Sequence, residues 1–469
     1  MSEPGQAVPT STTETSAQRP TWVRWRIVVL LMAFSFMTWF NRVSMSAAYD
    51  DAISVQYPTI SKEAIGTVYS AFILVYALFM TPGGWFIDRF GPWTALVVMG
   101  FGSALFGALT GSVGAGFFAV GMMVPAFLVI RALMGLFTAP IYPACARMVA
   151  NWIPLRQRAW ANGLINGAAP LGMACTYVGF GALMDWGGWP RAFLITGIVT
   201  ALVAVLWTVY ATSRPAEHRS VNKSERTLIA DDRPADVSDP RHPAGPAIIV
   251  GPELEKLSDS TAASRLAPAG WRALLGNRSL VLLTLSYAAV GYFEYIFNFW
   301  MHYYMEEVKH LGKSESRYYA TILFLAQAAG MFLGGWLSDR LQRRYGYRLG
   351  RAIVPVGGML GSAVFLILGL LPSEPGVILF WFSLAMVAVG SCEGPFWATA
   401  IELGGRRGGT SAGICNTGGN AGGLLSPVVT PWVSDLCGWS WGISLGSLVC
   451  VMGAALWWWI DPAQRTDDS

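Results

Sequence analysis

The chain has 469 residues, 54% of them hydrophobic and 13% charged, with 52 glycines, 21 tryptophans and a net charge of +4. Soluble chains carry about 25% charged residues, so this composition excludes a soluble globular protein and makes the lipid bilayer the first partner. The small charge excess gives no support for nucleic acid.

Residues 1–21 are polar, rich in Ser, Thr and Pro, and lack the basic start and small-residue cleavage site of a signal peptide. Residues 1–25 therefore read as a cytoplasmic tail, disordered over its polar part. Apolar runs of about 20 residues, each long enough to cross a bilayer, follow at 26–47, 64–86, 93–112, 117–146, 159–184 and 190–212. These six spans form a first bundle, 26–212. Residues 213–277 mix Pro, Ser and charges of both signs, with little apolar periodicity until Trp271–Leu275. They read as a mobile cytoplasmic linker closing on a candidate surface helix. Six more runs, 279–304, 318–338, 352–371, 376–401, 410–434 and 440–460, form a second bundle, 278–460, before a cytoplasmic tail at 461–469. The expected class is an all-α membrane protein of twelve transmembrane helices in two six-helix bundles.

Basic residues gather on one side of these spans. Arg24 and Arg26 precede span 1, Arg89 follows span 2, Arg147, Arg156 and Arg158 follow span 4, and Arg340 to Arg351 follow span 8. The other side holds Asp50, Asp51, Asp185, Glu374 and Asp435, and its basic cluster (Lys309, Lys313, Arg317) is mixed with Glu306, Glu307 and Glu315. Positive residues stay in the cytoplasm, which puts both termini there. The six cysteines lie mostly inside the spans without metal-ligand spacing, and the four histidines are scattered. No metal or other cofactor is expected.

One stretch occurs twice. GGWFIDRFG, Gly83–Gly91, returns as GGWLSDR, Gly334–Arg340, so Asp88 and Arg89 recur as Asp339 and Arg340, 251 positions on (339 − 88). Asn166 recurs as Asn416, and Gly188-Trp189 as Gly438-Trp439, each 250 on (416 − 166, 439 − 189). Two similar halves in the same orientation are the architecture of a two-bundle transporter. The charged, glycine-bearing turns suit tight connections between antiparallel spans. Asp88, Arg89, Asp339 and Arg340 are candidate latches of a gate on that face.

Four ionisable residues lie inside spans, where each costs about 2.5–3.5 kcal/mol and so normally faces a cavity. Arg42 sits some 16 residues into span 1, roughly 24 Å at the helical rise. Its permanently charged planar donor fork fits a carboxylate; the alternative is a side chain reaching for outer headgroups. Arg131, near the middle of span 4, either binds substrate or pairs with an acid or with carbonyls freed by Pro140 and Pro143. Glu393 holds in span 10 the place of Thr138 in span 4, with Pro395 and Pro140 two residues later. Such prolines let a gating helix bend. Glu393 is read as a proton-coupling or cation-pairing group, or as the fixed partner of an arginine. Glu294, Tyr295 and Asn298 share a polar stretch of span 7, with Glu294 and Asn298 at i, i+4. Asn166, Asn416 and Asn420 are polar mid-bundle residues that either bind ligand or join helices.

These residues and their surroundings carry a resemblance. NRVSMS, SAFILVYALFMTPGGWFIDRFG, RALMGLFTAPIYPACARMVANWIP, RAWANGLINGAAPLG and ICNTGGNAGGLLSP together resemble the major facilitator superfamily. Within it they resemble the anion:cation symporter family, which includes bacterial hexuronate, glucarate and galactonate transporters and the animal sialin and vesicular glutamate carriers. The likeness covers residues 26–212 and 271–460; the GGW-DR-G motif is common to the superfamily, whereas those of spans 4 and 11 are more specific. It implies a rocker-switch carrier of organic anions, in which Arg42 contacts the substrate carboxylate and Arg131 belongs to the polar network. Tyr76, one turn from Thr81 and Pro82, matches the family's polar tyrosine region. The residue before the span 1 arginine is commonly aspartate in bacterial proton symporters, and that seven after the span 4 arginine is commonly glutamate. Here they are Asn41 and Thr138, which leaves Glu393 and Glu294 as candidates for coupling.

The expected function is secondary active transport, by alternating access, of a small organic anion such as a hexuronate, an aldonate or a related monocarboxylate. A proton or another cation would move with it. The substrate set is Arg42, Asn41, Tyr76, Arg131, Asn166, Tyr295, Asn298 and Asn416, in a chain working as a monomer. Rivals on the same fold are an efflux or facilitative carrier of neutral or amphipathic compounds and a non-transporting nutrient sensor. An enzyme has no support, for want of paired carboxylates at a membrane face or a nucleophile with a base in reach.

Overall fold

The structure, a computed structural model, describes residues 19–116, 118–230, 274–309, 311 and 313–464. Most of the expected tail 1–25, the linker from 231 to 273 with the start of its candidate helix, and residues 465–469 lie outside the described residues. So do the side chains of Asp50, Asp51, Glu307, Lys313, Glu315 and Arg317.

Among the described residues the regular structure is helical throughout. The long helices are α1 Val23–Ala48, α2 Lys62–Phe90, α3 Pro92–Ser112, α4 Val120–Thr138, α5 Ile141–Trp152 and α6 Arg158–Tyr210. In the second half they are α7 Arg278–Phe299, α8 Lys313–Tyr345, α9 Tyr347–Leu370, α10 Pro375–Gly390, α11 Glu393–Gly404, α12 Gly408–Cys437 and α13 Trp439–Leu456. Among the described residues, 10 stretches are long and apolar enough to cross a membrane. Two of them conceal a further pass. Pro375–Cys437, at 63 residues, is far longer than one crossing and holds spans 10 and 11. Val178–Tyr210 straddles a turn at Gly188 within α6, whose first arm, from Arg158, is a separate pass.

Helix α6 folds back on itself at Gly188, whose φ of 76° is outside the helical region. Thr176 and Thr200, each 12 residues from that glycine, both reach the same place on α1. Thr176 donates to the Phe40 carbonyl at 3.4 Å, and Asn41 donates to the Thr200 hydroxyl at 2.8 Å. Gly438, the repeat counterpart of Gly188, has φ 95° between α12 and α13. Only glycine takes this backbone without strain, so the repeated Gly-Trp pair is a repeated hairpin turn.

Spans 4 and 10 are each broken in two. The breaks, at Ala139 and at Ser391, lie four residues before Pro143 and Pro395. Proline has no N–H to offer the carbonyl four residues back, and both helices yield there. Large apolar side chains such as Val178, Val209, Val428 and Leu448 stand 56–83% exposed on the outer faces, as lipid-facing surface should.

The start of the expected linker differs from the mobile segment the composition suggests. Asn151 donates to the Ser213 carbonyl and Trp152 to the Thr212 carbonyl, both at 3.0 Å. His218 is buried edge-on between Trp152 and Tyr210. The short helix Lys223–Ala230 then delivers Glu225, fully buried, to the N-terminus of α1. There it receives the Arg24 side chain at 2.9 Å, the Arg24 backbone N–H at 3.3 Å and the Thr21 hydroxyl. Few apolar residues are involved, so periodicity does not reveal the docking.

Candidate functional site

A central cavity lies between the two halves, with about 700 Å³ of empty space when its open mouth is included, a volume suited to a small molecule. Arg42 enters it from α1. Its guanidinium lies 4.4 Å from the Trp39 ring centroid, 5.2 Å from that of Phe72 and 5.7 Å from that of Tyr76. Cation–π contacts of this kind hold the group in place and leave its N–H donors unspent. Among the described residues none hydrogen-bonds or ion-pairs with it.

Asn166 and Tyr142 complete this side of the cavity. Tyr142 accepts a hydrogen bond from Trp39 at 2.6 Å and lies 3.2 Å from the Ser35 hydroxyl. On the other side Glu294 accepts from Gln327 at 2.8 Å, and one oxygen of Glu393 accepts from Tyr287 and from Trp397, both at 2.9 Å. The second oxygen of Glu393, Oε1, is buried without a hydrogen-bond partner among the described residues. Tyr295 donates to Asn420 at 3.2 Å, and Asn420 donates to both oxygens of Asn416, at 2.9 and 3.2 Å. The amide nitrogen of Asn416 is buried beside Tyr76, without a well-formed hydrogen bond among the described residues. Asn298 lines the same space.

The cavity thus gathers Arg42, Tyr76, Asn166, Glu294, Tyr295, Asn298, Glu393 and Asn416. Two expected members stand elsewhere. Asn41 points away, into the first bundle, where it is 2% exposed and bonds Thr200. Arg131, also 2% exposed, donates to the carbonyls of Asn41 at 3.1 Å and Arg42 at 2.9 Å, with Met134 sulfur at 3.3 Å. Its carbonyl partners belong to α1, not to the Pro140–Pro143 break. Thr138 spends its hydroxyl on the Met134 and Gly135 carbonyls of its own helix. Glu393 is partnered by a phenol and an indole, and among the described residues by no arginine. Sequence reasoning left out Trp39, Tyr142, Tyr287, Gln327 and Trp397; the two prolines flanking Tyr142 were the one available signal.

The repeated motif joins the halves. Asp88 accepts from the Gly409 N–H at 2.9 Å and from the Thr410 N–H and hydroxyl at 2.8 and 2.6 Å, at the start of α12. Asp339 accepts from the Ala159 and Trp160 N–H groups at 3.2 and 2.7 Å, at the start of α6. The first N–H groups of a helix lack internal partners and carry its positive dipole end, so each carboxylate closes on a ready site in the opposite bundle. A Cβ at Gly84 would strike the Gly409 backbone, and one at Gly335 the Ala159 backbone, which is why both motifs need glycine there.

Arg89 and Arg340 are not part of this latch. They are exposed, over Phe90 and Trp336. Other arginines do the joining. Arg147 donates to the Gly405 carbonyl at 2.9 Å across the bundles. Arg158 lies 3.7 Å from Glu402, which Arg351 also pairs at 3.2 Å while bonding Asp339 at 3.1 Å. All these contacts lie on the basic face, where the conformer is shut.

Comparison with known proteins agrees with this architecture. The chain is 28% identical to the probable galactarate/D-glucarate transporter GudP of Bacillus subtilis, over 90% of this chain and 88% of that protein. It is 27% identical to a D-galactonate transporter of Escherichia coli, over 94% and 96%, and 26% identical to the probable sulfoacetate transporter SauU of Cupriavidus necator, over 88% of each. The solved structure of the proton:xylose symporter XylE superposes with a TM-score of 0.67 over 95% of this chain and 97% of that one, at 15% identity, a likeness of fold alone. The family model described as Major Facilitator Superfamily matches residues 27–418. The chain is a multi-pass membrane protein that belongs to the Major Facilitator Superfamily, a family of transporters and not of enzymes.

Proposed function

We propose that this chain is a secondary active transporter of a small organic anion, a sugar acid such as a hexuronate or an aldonate or a related monocarboxylate. The observation that carries the reading is Arg42, an always-charged donor fork inside the cavity with no hydrogen-bond or ion-pair partner among the described residues. Its donors are open to a cargo carboxylate, which a guanidinium fork can take as a bidentate pair. Tyr76, Asn166, Tyr295, Asn298 and Asn416 offer both donors and acceptors for hydroxyls. Asn41 and Arg131 serve the site from behind, by seating α1. The relatives named for galactarate, glucarate, galactonate and sulfoacetate support the cargo class.

With neutral residues at Asn41 and Thr138, the coupling group is Glu393, with Glu294 beside it in the cavity. The unpartnered Oε1 of Glu393 is where a proton or cation would sit. Arginine placement supports a cytoplasmic basic face, on which reading the present conformer faces outward, and one chain holds the whole site. Purified protein in proteoliposomes tests this. Arg42→Ala should abolish sugar-acid uptake while the protein stays folded, and Glu393→Gln should remove the response to a pH gradient. Normal uptake by the Arg42 variant would sink the reading.

A further inference from the structure

We propose that Glu294 limits the cargo to a single negative charge, so that the cavity takes a carboxylate at one end and hydroxyls at the other and turns away a dicarboxylate of equal length. This rests on Arg42 as the carboxylate anchor. Among the described residues Arg42 is the one Lys or Arg lining the cavity. Arg131 cannot supply a second cation, because it is buried behind α1 and committed to the Asn41 and Arg42 carbonyls. The other bundle presents two carboxyl groups instead, Glu294 and Glu393, and their neighbouring donors are already taken. Gln327 is held by Glu294, while Tyr287 and Trp397 are held by Glu393.

What remains open on that side is acceptor capacity on the two glutamates and the neutral amides of Asn298 and Asn416. That set suits hydroxyl groups, which both donate and accept. A second carboxylate can only accept; against an ionised Glu294 it would meet like charge, with the two neutral amides alone to satisfy it. Three of the relatives are named for two-acid or mixed sulfonate–carboxylate cargo, or for a one-acid sugar, so names alone do not decide the charge.

The test uses the purified full-length chain and two probes on the same six-carbon skeleton, D-galactonate with one carboxylate and galactarate with two. Wild type should bind galactonate at least about tenfold more tightly, the scale of a like-charge penalty. Glu294→Gln should narrow that ratio by improving galactarate. Equal or tighter galactarate binding by wild type, or an unchanged ratio in a folded E294Q, overturns the proposal. Should E294Q not fold, butyrate against succinate on wild type provides the second readout, with the monoacid expected to win and a succinate preference overturning the rule. If those two discriminate while neither sugar acid binds, the charge limit stands and the sugar-acid reading fails. If no anion binds, both fail.

Discussion

Arg131 donates to the backbone carbonyl of Arg42 at 2.9 Å, so the guanidinium in the cavity is seated by a second one that never reaches it. The two arginines sit on different helices, and the planar fork of Arg131 spans successive carbonyls of α1. Hydrogen bonds from a charged group contribute about 1.5–3 kcal/mol. Arg131→Ala should therefore weaken substrate binding about tenfold through misplacement of Arg42, and leave the pH-gradient response intact. Arg131→Lys should rescue little, since an ammonium cannot reproduce the fork. Uptake measured against concentration separates the two parameters; an unaltered KM in the alanine variant would show that α1 holds Arg42 unaided.

The two motif carboxylates should control which face is open. Each is worth about 0.5–2 kcal/mol at a helix N-terminus, and they lie in separate interfaces, so their effects should add. Asp88→Asn and Asp339→Asn should each shift the population toward a conformer open at the basic face, and the double variant further. A cysteine introduced by Thr417→Cys reports this, because Thr417 meets Thr81 across the bundles at 3.0 Å. Its labelling should rise from wild type to single to double variant. Labelling that stays flat across the series would mean the latch is held elsewhere, at Arg147 and Glu402.

Much of this was legible in the sequence, because the bilayer imposes simple rules. Span length and the repeated Gly-Trp and Asp-Arg pairs gave the two halves, and a charge inside an apolar run pointed to Arg42 and Glu393. Depth along a helix is readable from position, whereas rotation about its axis is not when the helix is apolar all round. Asn41 is adjacent to Arg42 in the chain, yet about 100° of helical turn sends it into the first bundle. For the same reason position left open whether Arg131 binds substrate or pairs with carbonyls, and it is the carbonyls of α1 that it meets. Tyr142, Tyr287 and Trp397 do not stand out among the many aromatic residues of the spans, and only their hydrogen bonds to Trp39 and Glu393 mark them as site residues. Arg89 and Arg340 repeat with the motif, but repetition preserves the membrane-face charge as well as the latch.

The docked start of the linker yields a stability prediction of a different kind. Glu225 is fully buried and Arg24 nearly so, with side-chain exposures of 0% and 11%. Breaking a buried pair from one side strands the other charge, at a cost of about 3–5 kcal/mol. Because Arg24 can extend toward water, the lower end, about 3 kcal/mol, is expected for Glu225→Ala. The same variant removes the acceptor for the Arg24 N–H at the start of α1. Glu225→Gln keeps an acceptor and should lose less. The effect should also reach the gate, since Trp25 packs on Trp160 at 4.7 Å between centroids and the Trp160 N–H is held by Asp339. Melting temperature and Thr417→Cys labelling, measured together, should fall and rise respectively in Glu225→Ala. A variant that melts like wild type would make residues 213–230 a passive tether.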